Sequence, residues 1–266
     1  MNDNPIGVYD SGMGGLSVWR ELRRALPGES LLYLGDGKNC PYGSRPREQI
    51  RVLADQAVAA MLEWGCKLVV VACNTATTAA ISCLREKYSH IPIVGLEPAI
   101  KPACLSTRSG VVGVLATERS LDGEMFRRTA GEYGKGIEIV TSAGRGFVEI
   151  VEQNREDTPE AEECVREAMR EMIVRGADKV VLGCTHYPFL RAAIGRVIGD
   201  RDIEIIDSSA AVARRVGQLL DANGLRAPEG HTPEYTFRTF ADDAYAEALR
   251  RKAFGENSKF KIQNSK

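Results

Sequence analysis

The sequence has no apolar run long enough to span a membrane, almost no net charge and only three histidines. Among its 266 residues, 35 Lys and Arg nearly balance 36 Asp and Glu, which gives a formal net charge of −1. A transmembrane helix needs roughly 20 consecutive apolar residues, and nucleic-acid binding is usually marked by a strongly basic surface. The sequence therefore predicts a globular protein that binds neither a membrane nor a nucleic acid. Its length fits one large domain or two small ones.

The seven cysteines form no recognisable disulfide or zinc framework. Their number is odd, and no two of them are spaced C-x-x-C. The polar N-terminus, Met1–Pro5, leads straight into an apolar segment without a secretory signal. These features are typical of a protein kept in a reducing cytoplasm. Only one histidine, His186, lies near a cysteine, Cys184, so the spacing predicts no metal site.

Short apolar strands alternate with amphipathic helices along most of the chain. Strands are predicted at residues 6–9, 31–34, 68–72, 91–95, 111–115, 137–140, 179–182 and 203–206. Helices are predicted at residues 16–26, 47–64, 75–88, 121–133, 159–175, 189–198, 209–223 and 242–254, and an alternating segment at 235–240. This alternation predicts an α/β fold with mostly parallel sheets flanked by helices on both faces.

The two halves of this pattern resemble each other. Gly7–Ser11 aligns with Gly113–Thr117, and the strand before Cys73 aligns with the strand before Cys184. We interpret this as an internal duplication that gives two similar domains related by a pseudo-twofold axis. The predicted first domain comprises residues 1–96 completed by 208–266, the second comprises residues 97–207, and the active site is expected at their interface.

Polar residues follow directly after the predicted strands. In open parallel sheets, ligands bind outside the carboxyl ends of the strands, so these residues are the candidates for a site. They are Asp10, Ser11, Asp36, Cys73, Asn74, Thr75, Thr117, Cys184, Thr185 and His186. Because Cys73 and Cys184 occupy equivalent positions in similar halves, we expect their thiols to face one shared cleft.

Two facing thiols are compatible with a disulfide switch, with metal binding or with proton transfer. A two-base racemase needs one group on each face of a planar carbanion, one deprotonated and one protonated. A thiol, with an ordinary pKa of about 8.5, needs help to become a thiolate at neutral pH. Asp10 and His186, one associated with each half, are placed to give that help.

A glycine-rich loop, Gly12–Gly15, follows the first strand and superficially suggests dinucleotide binding, as does Asp36 after the second strand. The third glycine of the G-x-G-x-x-G pattern is replaced by Ser17, and Asp10 stands where a pyrophosphate would approach. A small α-amino acid fits better. Its carboxylate can bind backbone N–H groups at a helix N-terminus while its ammonium faces Asp10.

The sequence resembles the bacterial glutamate racemases over nearly its whole length. The shared segments are Asp10–Ser17, Gly35-Asp36, Pro41–Gly43, Ala72–Ala76, Pro92–Gly95, Gly113–Thr117, Gly183–Pro188 and Ile206–Ser208. The resemblance implies a cofactor-independent enzyme that interconverts L- and D-glutamate and supplies D-glutamate for peptidoglycan. It also implies a homodimer whose protomers have two α/β domains with the site between them.

The resemblance also implies roles for individual residues. Cys73 and Cys184 match the acid/base pair, and Asp10 and His186 match the residues that assist it. Matches to the substrate-binding residues are Asp10, Ser11, Tyr42, Gly43, Asn74, Thr75, Thr117, Thr185 and His186. Glu152, Asp36 and Ser120 are expected to support them from behind, Glu152 by tuning His186.

Three features depart from the family pattern. Ser120 stands where the family often has threonine, and residues 144–149 are more polar than the usual apolar, proline-containing run before Glu152. Cys40 brings a third thiol next to Pro41, and we expect it to be incidental.

Two other functions are weighed against glutamate racemisation. Aspartate racemases tend to carry an acidic residue where His186 stands, so the histidine favours glutamate. A non-catalytic binding or inhibitory protein is the alternative from another class, and no feature of the sequence supports it directly.

Overall fold

The computed structural model describes residues 2–255, and all bounds below refer to that range. The strands are β1 Ile6–Asp10, β2 Leu31–Gly35, β3 Leu68–Val71, β4 Ile93–Gly95, β5 Val111–Ala116, β6 Glu138–Ala143, β7 Lys179–Gly183, β8 Glu204–Ile206 and β9 Tyr235–Thr239. The helices are α1 Leu16–Ala25, α2 Arg47–Glu63, α3 Asn74–Lys87, α4 Ile100–Ser106, α5 Glu118–Leu121, α6 Glu124–Tyr133, α7 Phe147–Glu152, α8 Pro159–Val174, α9 Arg191–Ile198, α10 Ser209–Ala222 and α11 Asp243–Phe254. A 3₁₀ turn, Tyr187–Leu190, precedes α9.

The strands form two sheets in which every observed pairing is parallel. The first sheet has the order β4-β3-β1-β2-β9 and the second the order β6-β5-β7-β8. The first four strands and the next four therefore follow the same order, with β1 and β5 in equivalent central positions. The predicted α/β class with parallel sheets is confirmed. Strand β9 extends the first sheet beyond β2, while the domain boundaries at 96/97 and 207/208 stay a prediction.

Both faces of each sheet are covered, which explains why the central strands are apolar throughout. Residues of α1, α10 and α11 pack on one face of the first sheet, and α2 and α3 pack on the other. Helices α7, α8 and α9 cover one face of the second sheet, and α4 and α6 cover the other. None of the helices within residues 2–255 has the length and apolarity that a bilayer span requires.

Three local features differ from the sequence prediction. Helix α4 is absent from the sequence prediction. It tolerates Pro102 because this proline lies in the first turn, where its missing N–H has no intrahelical partner to lose. Helix α7 is also absent from the sequence prediction. It is only six residues long and follows Gly146, whose φ is +78°. The helix expected over residues 121–133 is divided into α5 and α6 at Asp122-Gly123.

Candidate active site

A cavity of about 310 Å³ lies between the two sheets at the carboxyl ends of their central strands. Every predicted catalytic or substrate-binding residue except Asp10 lines it. These lining residues are Ser11, Tyr42, Gly43, Cys73, Asn74, Thr75, Thr117, Cys184, Thr185 and His186. The residues come from both halves of the chain because the duplicated strand order directs both sets of strand ends toward one cleft.

The Cys73 thiol lies at the junction of β3 and α3. Its Sγ accepts a hydrogen bond from the backbone N–H of Ala76 at 3.4 Å, so the cysteine caps the helix, and the thiol lies 3.6 Å from Ser11 Oγ. Burial and, after it, the nearby Asp10 carboxylate raise the pKa of Cys73 to about 12, while the hydrogen bond from the Ala76 amide opposes the shift. At neutral pH, Cys73 in the unliganded protein is therefore a protonated thiol.

The Cys184 thiol lies directly after β7 and has a charged neighbour instead. Its Sγ is 3.8 Å from Nδ1 of His186, and Nε2 of the same ring is 2.6 Å from Oε1 of Glu152. Burial opposes charge on the imidazole, but hydrogen bonds to Cys184, Cys40 and Glu152 outweigh it and raise the pKa of the ring well above its ordinary value. An imidazolium therefore faces the Cys184 sulfur at neutral pH.

Glu152 holds the imidazolium in place. Its Oε1 also accepts the backbone N–H of Met13 at 2.6 Å, and its Oε2 accepts the hydroxyl of Tyr245 at 2.6 Å. Burial alone would raise the pKa of Glu152, but these donors and His186 lower it, so the carboxylate stays ionised. The predicted neighbourhood of Glu152 and His186 is therefore present in the structure, although the preceding loop departs from the family pattern.

Asp10 lies behind the cavity wall. The side chain is fully buried, and its carboxylate accepts hydrogen bonds from Gly12 N at 2.8 Å and from Thr185 Oγ1 at 2.9 Å. Burial raises the pKa of Asp10, while the charge of His186 lowers it. This carboxylate joins the two halves of the chain through Thr185, and its predicted contact with a substrate ammonium stays a prediction.

Hydroxyl groups from both halves of the chain meet at the cavity. Thr75 Oγ1 and Thr117 Oγ1 lie 3.1 Å apart across the two halves, and Thr117 Oγ1 donates to Ser120 Oγ at 2.9 Å. Ser120 thus holds Thr117 with the hydroxyl that the sequence comparison expects at this position. The Thr117 side chain also caps α5 by accepting the Ser120 amide.

Tyr42 lines the cavity, and its hydroxyl is held by two neighbouring side chains. That hydroxyl donates to Asp36 Oδ2 at 2.6 Å and accepts a hydrogen bond from Tyr9 at 2.6 Å. Both carboxylate oxygens of Asp36 also accept a hydrogen bond from Nδ2 of Asn39, each at 3.0 Å. Asp36 therefore anchors the loop that carries Pro41–Gly43, and its predicted supporting role in the reaction stays a prediction.

The glycine-rich loop packs its backbone against the histidine–glutamate pair. A Cβ added at Gly14 would lie 2.3 Å from Nδ1 of His186, and one added at Gly12 would lie 2.1 Å from Oε1 of Glu152. These distances are far below van der Waals contact, so both positions require glycine. The loop that superficially suggests phosphate binding is thus explained by close packing of backbone on the two charged side chains.

Sequence reasoning missed several residues of the site. Tyr245 lies 93 positions from Glu152 on the last helix, and no motif marks it. Ser17 donates from α1 to the carbonyl of Thr185 at 3.0 Å, which ties the loop after β7 to the first half. The mouth of the cavity also includes Arg145, Glu118 and Glu149 from the second half, and the first two form an ion pair at 2.9 Å.

The comparison with known proteins agrees with this geometry. Residues 6–216 match the Asp/Glu/Hydantoin racemase family. A glutamate racemase of Herpetosiphon aurantiacus is 43% identical over 250 residues, which are 94% of this chain and 98% of the relative. The crystal structure of glutamate racemase isoform RacE1 from Bacillus anthracis has a TM-score of 0.84 at 32% identity and covers 96% of this chain and 95% of that one.

A second solved relative contains L-glutamate. Escherichia coli glutamate racemase, crystallised with L-glutamate and the activator UDP-MurNAc-ala, has a TM-score of 0.81 at 31% identity. The match covers 94% of this chain and 95% of that one. With relatives of this identity over almost its full length, the chain belongs to the glutamate racemases of the Asp/Glu/Hydantoin racemase family.

Proposed function

We propose that this protein interconverts L- and D-glutamate by direct proton transfer between glutamate and two thiols, Cys73 and Cys184, without a cofactor. The observation that carries the proposal is the pair of buried cysteines, one from each half of the chain, that line a single cavity. Family membership and the L-glutamate complex of the Escherichia coli relative support glutamate as the substrate.

The proposed reaction conserves protons at the enzyme. A thiolate on one side takes the α-proton, the electron pair of the broken C–H bond stays on the α-carbon, and the thiol on the other side protonates that carbon. The enzyme then carries its thiolate on the opposite cysteine, and one further proton exchange with solvent restores the starting state. Each enantiomer therefore meets a different base.

The two environments favour one starting state. The Cys73 thiol is protonated because of its high pKa, and we propose that the positive charge of His186, 3.8 Å from the Cys184 sulfur, stabilises the thiolate that the reaction needs there. This state is ready to abstract the α-proton with Cys184 and return a proton from Cys73. The family resemblance assigns Cys184 to L-glutamate and Cys73 to D-glutamate, so the resting protein is prepared for the L-enantiomer.

Backbone and hydroxyl donors around the cavity are proposed to bind the carboxylate groups of the substrate. The N-terminus of α3, at Asn74 and Thr75, borders the cavity and offers N–H groups to a carboxylate. The hydroxyls of Ser11, Thr117 and Thr185 are further polar groups in reach of the ligand or its supporting network. We propose Asp10 as the carboxylate whose field favours the substrate ammonium, acting through its bond to Thr185.

The biological setting follows from the same assignment. We propose that the enzyme supplies D-glutamate for peptidoglycan, that it works in the cytoplasm and that it is a homodimer. Two thiols that must remain free suit a reducing compartment. Light scattering after size-exclusion chromatography of the purified chain tests the dimer.

The test of the reaction is racemisation in heavy water. L- and D-glutamate are each incubated with the purified protein, and circular dichroism follows the change in ellipticity as one enantiomer is converted into the other. Deuterium at the α-carbon should appear early in the product and far less in the recovered substrate, because the donating thiol differs from the abstracting one. Substrate-derived hydrogen in the product would indicate a single shared base and would contradict the two-thiol mechanism. Failure to racemise either enantiomer would contradict the proposed function itself.

A further inference from the structure

Behind the cavity wall, three side chains with different donor atoms converge. Cys40 comes from the loop before Pro41, Glu152 from the end of α7, and His186 from the loop after β7. One ligand atom from each, a sulfur, a carboxylate oxygen and an imidazole nitrogen, lie within 4.8 Å of one another. The sequence spacing could not predict this cluster, because its members are more than 30 positions apart.

We propose that Cys40, Glu152 and His186 form an inhibitory site for a thiophilic divalent cation such as Zn²⁺. Zinc binds thiolate, imidazole and carboxylate donors at about 2.0–2.3 Å in tetrahedral geometry. Three protein donors leave one coordination position for a solvent molecule. Magnesium and calcium prefer sites made only of oxygen donors, so a mixed sulfur, nitrogen and oxygen set selects against them.

The surroundings already bring these donors together. A Cβ added at Gly12 would lie 2.1 Å from Oε1 of Glu152 and 2.9 Å from Sγ of Cys40, so the absence of a side chain there lets both donors approach the same point. His186 Nε2 and Glu152 Oε1 share a proton across a distance of only 2.6 Å. If a cation replaces that proton, the two atoms need to move apart by less than an ångström to reach the spacing of two ligands in a tetrahedral zinc site.

Occupation of this site would remove the charged partner of Cys184. The cation displaces the proton of the Cys40 thiol and one proton of the His186 imidazolium, and both protons leave to solvent. If it binds Nε2 it breaks the hydrogen bond to Glu152, and if it binds Nδ1 it breaks the contact with Cys184. Either way the imidazolium becomes a metal-bound imidazole in the wall of the cavity, beside Cys184, and the inhibitory part of the inference rests on the proposed function.

Of the three donors, only His186 lines the cavity, whereas Cys40 and Glu152 lie behind it. Cys40 and Glu152 are partly exposed, whereas His186 is buried, so the two outer donors are the ones that a cation in solvent can meet first. The catalytic thiols of Cys73 and Cys184 are the competing ligands that an experiment must separate from Cys40.

The experiment titrates the metal-free protein with Zn²⁺ in a calorimeter and with Cd²⁺ while recording the ultraviolet absorption of the cadmium–thiolate bond. The variants are Cys40→Ser and, as a matched control that removes an exposed thiol elsewhere, Cys83→Ser. We expect the wild type and Cys83→Ser to bind one equivalent. We expect Cys40→Ser to bind at least roughly 100-fold more weakly, because even the outer partners of a metal ligand change affinity by roughly 10–100-fold.

Two further measurements keep the proposal testable. Glu152→Gln keeps the shape of the side chain but removes an anionic ligand, so it should weaken binding as well, even if Cys40→Ser does not fold. Racemase activity should fall with Zn²⁺ in the wild type and Cys83→Ser, recover with chelator and resist Zn²⁺ in Cys40→Ser.

Binding of equal strength in Cys40→Ser and the wild type would overturn the proposal, because it would place the cation on the catalytic thiols. If the protein proved to lack racemase activity, the calorimetric and ultraviolet titrations would still decide whether the cation site exists. Failure of this site and failure of the proposed function are thus distinguishable.

Discussion

The two cysteines occupy equivalent positions in equivalent strand orders, yet their surroundings differ. Cys73 lies beside a hydroxyl, a backbone amide and the Asp10 carboxylate, whereas Cys184 lies beside an imidazolium. The duplicated fold thus repeats the thiol but not the groups that set its charge. The reaction proposed for the site is symmetric under mirror exchange, while the protein that carries it out is not.

The difference originates in how the chain continues after each strand. After β3, helix α3 begins at once, and Cys73 caps it by accepting the Ala76 amide. After β7, Pro188 lies in a 3₁₀ turn that delays the α-helix until Arg191. Cys184 therefore lacks the helix amides that contact Cys73, and His186 provides positive charge in their place.

Removing either thiol should have the largest effect. Cys73→Ser and Cys184→Ser should each lower turnover by roughly 10²–10⁴-fold, because a hydroxyl is a much weaker acid than a thiol and proton transfer contributes about that much. Circular dichroism with each enantiomer measures the loss, and Cys83→Ser, at an exposed position, should keep normal activity. Near-normal racemisation by either active-site variant would contradict the two-thiol mechanism.

Replacing His186 should make the two directions differ in their isotope effects. His186→Asn removes the positive charge beside Cys184 and should lower turnover by roughly 10²-fold. The equilibrium constant of a racemase fixes the ratio of kcat/KM for the two enantiomers, so the asymmetry must be sought elsewhere. We expect the α-deuterium isotope effect to increase more with L-glutamate, whose proton Cys184 is proposed to remove, than with D-glutamate. Equal increases would show that His186 serves both thiols alike.

Neutralising Glu152 should shift the pH dependence. Glu152→Gln removes the carboxylate that raises the pKa of His186, so the imidazolium should lose its proton at a lower pH than in the wild type. The alkaline limb of the kcat profile should therefore move toward neutral pH, with a loss of roughly 10- to 100-fold, since hydrogen bonds to charged groups contribute about 1.5–3 kcal/mol. An unchanged alkaline limb, measured from pH 6 to 10, would mean that His186 is not the titrating group.

The sequence predicted the parts of this site that depend on periodicity. Apolar runs marked the strands, and strand ends marked Cys73, Thr117 and Cys184, because a parallel sheet directs those ends to one edge. It could not predict orientation. Asp10 lies at the end of β1, much as Cys73 lies beyond the end of β3, but its carboxylate turns behind the cavity toward Thr185, because buried amide and hydroxyl donors there satisfy its charge.

Contacts between residues that are far apart in the sequence could not be predicted either. Helix α11 reaches the site only because β9 joins the first sheet beside β2. Neither the periodicity of α11 nor any motif in the sequence connects Tyr245 with Glu152. The same applies to Cys40, whose sulfur lies beside the histidine only once the loop before Pro41 folds back over Gly12. Such neighbours depend on tertiary packing rather than on local pattern.

The smallest expected effect comes from Tyr245, the residue farthest from the thiols along this chain of contacts. Tyr245→Phe keeps the ring but removes the hydroxyl that donates to Glu152 Oε2 at 2.6 Å. That hydrogen bond lowers the pKa of Glu152, so its loss should raise this pKa, and the carboxylate should be protonated at a higher pH. A protonated Glu152 no longer holds the imidazolium, so the acidic limb of the kcat profile should move upward. Turnover at neutral pH should fall by roughly threefold to tenfold, the size of one ordinary hydrogen bond. Tyr133→Phe, on the distant helix α6, is the control and should change neither quantity. Since the effect passes through Glu152, Tyr245→Phe should add little in the Glu152→Gln background, and full additivity of the two substitutions would show that Tyr245 acts on the site by another route.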